Sequence, residues 1–157
     1  MLAAIQHSAV WEIFGSRVFW CGLGGWIAAS VVKMVIAAWK TREFDFTYLV
    51  ATGGMPSSHS ATVSGLAFGV GYTHGFGSTI CVLAMAFAVI TMFDAATVRR
   101  AAGEHAKVLN AIVHDLKELK FNPQRRLKEL LGHTRKEVFW GMAVGILWAT
   151  LVCLVWN

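Results

Sequence analysis

Long apolar segments alternate with short polar ones along this chain. Val18 to Val32, Phe46 to Phe93 and Val138 to Asn157 contain no Asp, Glu, Lys or Arg. A helix that crosses a bilayer needs about 20 mainly apolar residues. The pattern therefore predicts about four transmembrane helices, at residues 17–39, 57–72, 78–93 and 138–156.

The strongly polar region lies between the third and fourth predicted spans, at residues 94–137. Apolar residues recur there at helical spacing and predict a helix over residues 95–119. Phe121-Asn122-Pro123 ends that helix, and residues 124–131 predict a second, short one. The predicted fold class is all-α: a polytopic membrane helical bundle forming a single domain over 1–157, with a helical cytoplasmic excursion between its last two spans.

Composition supports this membrane assignment. The chain is 56% hydrophobic and 15% charged, whereas soluble domains average about 25% charged residues. An ordinary soluble enzyme, a disordered protein and a disulfide-rich secreted domain are therefore excluded. The three cysteines, Cys21, Cys81 and Cys153, lack zinc or redox spacing and are interpreted as apolar packing residues.

The distribution of charge indicates an orientation. Residues 99–137 carry 10 of the 14 basic side chains, and basic loops favour the cytoplasmic side. Four spans place this region and the 40–56 loop on one face of the membrane. We expect an integral protein of a bacterial inner membrane, with its site on the cytoplasmic side.

Three polar clusters lie at predicted span ends on that face: residues 53–60, 94–100 and 132–137. Lys33 lies a turn or two inside the same face. The clusters combine two histidines with cations and hydroxyl groups. Cations and helix N-terminal amides bind phosphate oxygens, and imidazoles transfer protons or attack phosphorus. This set predicts a site for a phosphate ester.

The clusters also resemble a known family. Gly-Met-Pro-Ser-Ser-His-Ser at 54–60 is similar to the Pro-Ser-Gly-His motif of the type 2 phosphatidic acid phosphatases, which are related to the vanadium-dependent haloperoxidases. Residues 133–141 resemble the later His-x-x-x-Asp motif of that superfamily. Segments 53–61, 92–103 and 131–138 occur in the order found in its divergent membrane branch. The resemblance implies a membrane phosphatase that hydrolyses a lipid phosphate or pyrophosphate through a phosphohistidine.

The resemblance also implies roles for individual residues. His133 would be the nucleophile, and His59 would donate a proton to the leaving oxygen. Glu137 would accept the Nδ1 proton of His133, since a residue four positions on shares its helix face. The expected phosphate-binding residues are Lys33, Ser57, Ser58, Arg99 and Arg100, with Asp94 and Lys40 in supporting positions. No metal and no cofactor are expected.

Structural interpretations compete with several of these roles. Ser57 and Ser58 suit a simple helix N-cap. Thr134-x-x-Glu137 before an apolar segment is a capping box, which would occupy Glu137 structurally. Asp94 and Arg99 could simply form an ion pair. The apolar stem of the Lys33 side chain could extend along the helix and place its ammonium group at the membrane surface.

The chain departs from the parent motifs, and this leaves a second function open. Ser58 replaces the motif glycine, Glu137 replaces the aspartate, and Lys33-x6-Lys40 lacks the parent's Arg-Pro. A non-catalytic protein that binds or translocates phospholipid would use the same anion site. A vanadate haloperoxidase is less favoured. The expected partners are the lipid bilayer and a phosphorylated lipid, with no nucleic acid. The small-residue stripe Ala61, Gly65 and Gly69 would serve packing within the chain or between copies of a homo-oligomer.

Overall fold

The chain folds as a bundle of helices. The computed structural model describes residues 11–43, 46, 53–116 and 132–156. These ranges contain α1 (Arg17–Thr41), α2 (Ser58–His74), α3 (Thr79–Ala96), α4 (Val98–Leu116) and α5 (Arg135–Val155), and no strand. The predicted all-α class is confirmed. The short helix predicted at 124–131 and residues 44–45 and 47–52 of the 40–56 loop lie outside the described residues.

Three of the helical segments are long and apolar enough to cross a membrane. They are α1, α5 and a segment over Thr79–Val113 that comprises α3 and most of α4. Helix α2 has 17 residues, which extend about 25 Å against a hydrocarbon thickness of about 30 Å. The chain is therefore a helical membrane protein, and the count of four spans remains a prediction.

Helix α2 lies at the centre of the bundle and packs against α1, α3 and α5. It is the helix richest in small and hydroxyl-bearing residues, and most of its length is buried. Protein rather than lipid surrounds most of it, so a serine in its middle can face backbone acceptors instead of hydrocarbon. Ser64, for example, donates to the carbonyl oxygens of Ser60 (2.7 Å) and Met142 (3.2 Å).

Close backbone contact holds α1, α2 and α5 together. A Cβ on Gly65 of α2 would collide with the Cys21 carbonyl of α1 and lie 3.2 Å from the Gly145 carbonyl of α5. Only glycine allows three helix backbones to approach in this way. The stripe of small residues in α2 thus serves packing within the chain.

The helix ends meet at one end of the bundle, where α1 and α3 finish and α2 and α5 begin. The Ser57 amide, just before α2, donates to the Glu137 carbonyl of α5 at 3.0 Å. The His133 amide, just before α5, donates to the Ala95 carbonyl of α3 at 2.9 Å. Two helix N-termini therefore converge on this end, which we call the site end.

Helix α5 begins at Arg135, three residues before the predicted span. Thr134 caps it by accepting from the Glu137 amide at 3.3 Å, and the Glu137 carboxylate accepts from the Thr134 amide at 2.8 Å. This capping box starts the helix in polar sequence, so the charge pattern alone places its start too late. Glu137 consequently lies in the first turn of α5.

Helix α4 continues from α3 after an interruption at Thr97, whose amide donates to the Phe93 carbonyl at 2.9 Å. Among the described helices it contacts only α3. Its first turn carries Arg99 and Arg100. The predicted 95–119 helix is thus observed to start at Val98, and its last residues lie beyond the described range.

We predict that Gly65→Ala destabilises the protein by at least about 1–3 kcal/mol, the usual cost of overpacking, because the added methyl meets backbone on two neighbouring helices. The matched control is Gly77→Ala in the α2–α3 turn, where a Cβ has no neighbour within 4 Å. The measurement is the thermal unfolding midpoint in detergent, followed by tryptophan fluorescence. Equal midpoints for the two variants would contradict this packing.

Candidate active site

His133 occupies a buried position at the site end. It is 5% exposed, and it lies in a two-residue link, Gly132-His133, that precedes Thr134, the cap of α5. Gly132 adopts φ +84° and packs against the backbone of Arg99 and Arg100, where a Cβ would collide. The link therefore lies flat across the α3–α4 junction, and the His133 amide bonds to Ala95 there.

The Glu137 carboxylate both caps α5 and contacts the His133 ring. Its Oε2 accepts the Thr134 amide and lies 3.3 Å from Nδ1 of His133. An ionised carboxylate only accepts hydrogen bonds, so Nδ1 carries the proton and Nε2 keeps its lone pair. The capping and orienting interpretations of Glu137 are therefore compatible, because the capping box fixes the carboxylate that orients the imidazole.

The surroundings of His133 favour its neutral form. Burial lowers its pKa below the ordinary value of 6.5, and the Glu137 carboxylate opposes part of this change. The positive charge of Lys33 and the nearby His59 lower the pKa further. A neutral imidazole with a free Nε2 is the form that can attack an electrophile.

His59 faces His133 from the start of α2. The two ring centroids are 6.0 Å apart and the ring planes are inclined by 59°. Ser57 caps α2 by accepting from the Ser60 amide at 3.3 Å. Gly141 leaves room for the Ser57 carbonyl, which a Cβ there would strike. The contact between α2 and α5 thus brings the two imidazoles together.

Lys33 supplies a buried positive charge. Its side chain is nearly fully enclosed, with the residue 2% exposed. The Cδ atom lies 3.6 Å from the position that a Cβ on Gly54 would take. Its charge acts on His59, His133 and Glu137. The structure therefore places Lys33 inside the site end rather than at a lipid-facing surface.

Ser58, the first residue of α2, is buried between Ser57 and His59. The other predicted residues lie further out. Asp94 and Arg99 form an ion pair, Oδ2 to Nε 2.9 Å, with side chains 39% and 51% exposed. Their charges still act on His59. Arg100 is exposed, and its backbone packs against Gly132 next to His133. Lys40 is exposed in the last turn of α1, where a cation complements the helix C-terminus.

Three buried polar atoms have no hydrogen-bond partner among the described residues: Ser30 Oγ, Ser60 Oγ and His59 Nδ1. Ser30 lies one turn from Lys33 on α1, and Ser60 follows His59 on α2. Buried polar groups nearly always have a partner, so these atoms mark a polar interior at the site end. Sequence reasoning missed Ser30, although Ser30 shares a helix face with Lys33, and it included Ser60 only as the last residue of the 53–60 cluster.

Comparisons with known proteins identify the family of this chain. The profile of the Divergent PAP2 family matches residues 14–148. The chain is 47% identical over 132 residues to the uncharacterized membrane protein YuiD of Bacillus subtilis (strain 168). The aligned region covers 77% of this chain and 84% of YuiD. No solved structure matches the chain. The chain belongs to the Divergent PAP2 family.

We predict that Glu137→Ala destabilises the protein by about 1–3 kcal/mol, because it removes a helix cap and leaves a buried imidazole N–H without a partner. Glu137→Gln costs less, since glutamine also completes a capping box. The control is Glu104→Ala, which removes an exposed ion pair with Lys107. Chemical unfolding in detergent checks the order. Equal stability of Glu137→Ala and Glu104→Ala would contradict the double role of Glu137.

Proposed function

We propose that the protein is a membrane phosphatase that hydrolyses a lipid phosphate or pyrophosphate through a phosphohistidine at His133. The observation that carries the proposal is the histidine pair, 6.0 Å between ring centroids, with one ring oriented by a carboxylate. Reacting atoms in a productive complex lie about 3–3.5 Å apart. A phosphoryl group between the rings therefore reaches both. Membership of the Divergent PAP2 family supports the same class of reaction.

In the first step, the lone pair of His133 Nε2 attacks phosphorus. The bond between phosphorus and the leaving oxygen breaks on the opposite side, and His59 gives that oxygen a proton. His133 becomes a phosphorylated imidazolium, whose positive charge is stabilised by Glu137 through the Nδ1 hydrogen bond. The lipid alcohol, or the lipid monophosphate from a pyrophosphate, departs.

In the second step, water attacks the phosphohistidine. His59, now neutral, takes a proton from the water as the new phosphorus–oxygen bond forms. The phosphorus–nitrogen bond breaks and its electron pair returns to Nε2. Inorganic phosphate leaves, and both imidazoles regain their initial protonation.

Charge stabilisation comes from groups that are already in place. The N-termini of α2 and α5 point their amides toward the site end, and amides there attract anions. Lys33 adds a full positive charge in buried surroundings, where electrostatic attraction is stronger than in water. Preorganised groups of this kind stabilise the charge that builds up on the equatorial oxygens in the transition state. Arg99 contributes from the outer edge while paired with Asp94.

A non-catalytic phospholipid-binding protein is the second candidate. The absence of the parent Arg-Pro and the pairing of Arg99 with Asp94 favour it, because they leave fewer cations for a transition state. Such a protein would bind through Lys33 and the two helix N-termini. It would give His133 no special role.

We also propose that the site faces the cytoplasm of a bacterial inner membrane. The basic residues of the first turns of α4 and α5 lie at the site end, and basic segments favour that side. The Bacillus subtilis relative is named a membrane protein.

We predict that His133→Ala abolishes phosphate release from both a lipid phosphate and p-nitrophenyl phosphate, since no other group replaces a covalent nucleophile. His59→Ala loses about 10²–10⁴-fold on the lipid, the usual contribution of acid–base catalysis. It keeps much of its rate on p-nitrophenyl phosphate, whose leaving group needs little protonation. The assay uses purified protein in detergent.

The control for both variants is His105→Ala, which changes an exposed histidine on α4. It should retain the wild-type rates. Identical losses for His133→Ala and His59→Ala on p-nitrophenyl phosphate would remove the assignment of roles. Absence of turnover in the wild type, with binding weakened by Lys33→Ala, would favour the binding protein.

The rate should also depend on pH through His133. Attack needs the neutral ring, so kcat/KM for p-nitrophenyl phosphate falls as the pH drops through the pKa of His133, which lies below 6.5. Glu137→Gln removes the carboxylate that raises this pKa. The acidic limb of the kcat/KM profile of Glu137→Gln should therefore move to lower pH, and the maximal rate of this variant should fall. The substrate ionises equally for both proteins, so an unmoved limb would contradict the role of Glu137.

A further inference from the structure

An apolar groove runs between α3 and α5. The two helices pack mainly on α2 and touch each other little. Two cavities lie between them, of about 420 and about 230 Å³. Both are lined by Val89, Met92 and Met142, so they adjoin along one path. We call this path the α3–α5 groove.

The α3–α5 groove begins at the site end. Ala96, Thr97 and Arg135 line its first part. Ala95, the neighbour of Ala96, holds the His133 amide, and Arg135 follows His133 by two positions. The bond that holds the His133 amide therefore lies next to Ala96 of the groove lining, and His133 itself is two residues from Arg135.

The walls of the groove offer hydrocarbon contacts. Its two hydroxyl groups are already bonded to backbone: Thr97 donates to Phe93 at 2.6 Å, and Ser64 donates to Ser60 at 2.7 Å. Arg135 at the mouth is the one charged residue among the described residues of the lining. Met85, Met92 and Met142 are flexible side chains that adapt to an irregular apolar occupant. An occupant with an anionic head at the mouth and an apolar body suits this arrangement.

The length of the groove corresponds to one leaflet. From Ala96 to Met85 the path along α3 measures about 16 Å at about 1.5 Å per residue. That is about half of the hydrocarbon thickness of a bilayer, roughly 30 Å. A chain lying in the groove would reach from the site end to about the middle of the membrane.

We propose that the α3–α5 groove holds one hydrocarbon chain of the lipid phosphate whose phosphate lies at the histidine pair. The proposal rests on the proposed function for the identity of the head group. Arg135 supplies a positive charge where the chain joins the phosphate. The groove thereby selects lipids of the leaflet on the site side, and it orients a single chain beside His133.

A third apolar cavity, outside the α3–α5 groove, does not compete for this role. It is lined by Trp20, Trp148, Leu151, Val152, Val155 and Trp156. These residues belong to the start of α1 and the end of α5, which lie at the end of the bundle opposite the histidines. A chain bound there would carry its head group away from the site.

The test uses a hexadecyl phosphate that carries a photoreactive diazirine at the far end of its chain. Irradiation with purified protein in detergent, followed by peptide mass spectrometry, locates the labelled residues. We expect labels at Met85, Val89 or Ile146, and competition by unmodified hexadecyl phosphate but not by hexadecanol. Val89→Trp, which fills the shared section, should reduce labelling at least tenfold. The matched control is Ile90→Trp, a neighbour on α3 that is 68% exposed and does not line the groove.

The outcomes separate this inference from the proposed function. Labelling in the groove without phosphate release would support the groove and refute the phosphatase. Phosphate release with labels outside the groove, or equal labelling of Val89→Trp and Ile90→Trp, would overturn the groove. Displacement by hexadecanol would show a general lipid contact and overturn it too. Loss of a dimer in Val89→Trp without loss of labelling would identify a contact between copies instead.

Discussion

The approach of α2 to α1 and α5 is the constraint on which the rest of the structure depends. Gly65 of α2 has no side chain, and the backbones of α1 and α5 approach it so closely that a Cβ there would collide with the Cys21 carbonyl. Membrane lipid supplies little hydrophobic force to join helices, so close packing supplies the attraction instead. The same approach continues to the site end, where Gly141 admits the Ser57 carbonyl and the Ser57 amide bonds to Glu137. Without this contact, His59 and His133 would belong to separate helix ends.

Helix capping and the proposed chemistry use the same groups here. The carboxylate that completes the cap of α5 also holds His133 Nδ1, and the cap of α2, Ser57, positions His59 two residues further on. Caps are rigid because their hydrogen bonds replace those that a helix end lacks. Two imidazoles fixed by two caps need little reorganisation to receive a phosphoryl group. The α3–α5 groove leads from the capped helix ends toward the membrane interior. Its lining becomes apolar at Val138 and Phe139, about one turn after the cap of α5.

Much of this was readable in the sequence. Charge-free segments predicted α1, α2, α3 and α5, and helical spacing of apolar residues predicted α4. Three polar clusters at helix ends indicated the candidate site, because few polar residues are tolerated in such a chain without a role. The sequence did not separate the two interpretations of Glu137, since the same Thr-x-x-Glu spacing serves a cap and an imidazole partner. The charge-free segment alone begins at Val138, after the start of α5, whereas the Thr134-x-x-Glu137 capping box indicates the start that the structure shows. The sequence treated Arg100 and Lys33 alike, although only Lys33 is enclosed by neighbouring helices.

The central claim is that His133 carries the phosphoryl group, and a trapping measurement tests it most directly. Purified protein is mixed with a lipid phosphate labelled on phosphorus, stopped in alkali to preserve phosphohistidine, and digested for mass spectrometry. The account predicts a phosphoryl group on the peptide that contains His133, present in the wild type and absent from His133→Ala. Steady release of labelled phosphate with no label on His133, or with label on another residue, would contradict it.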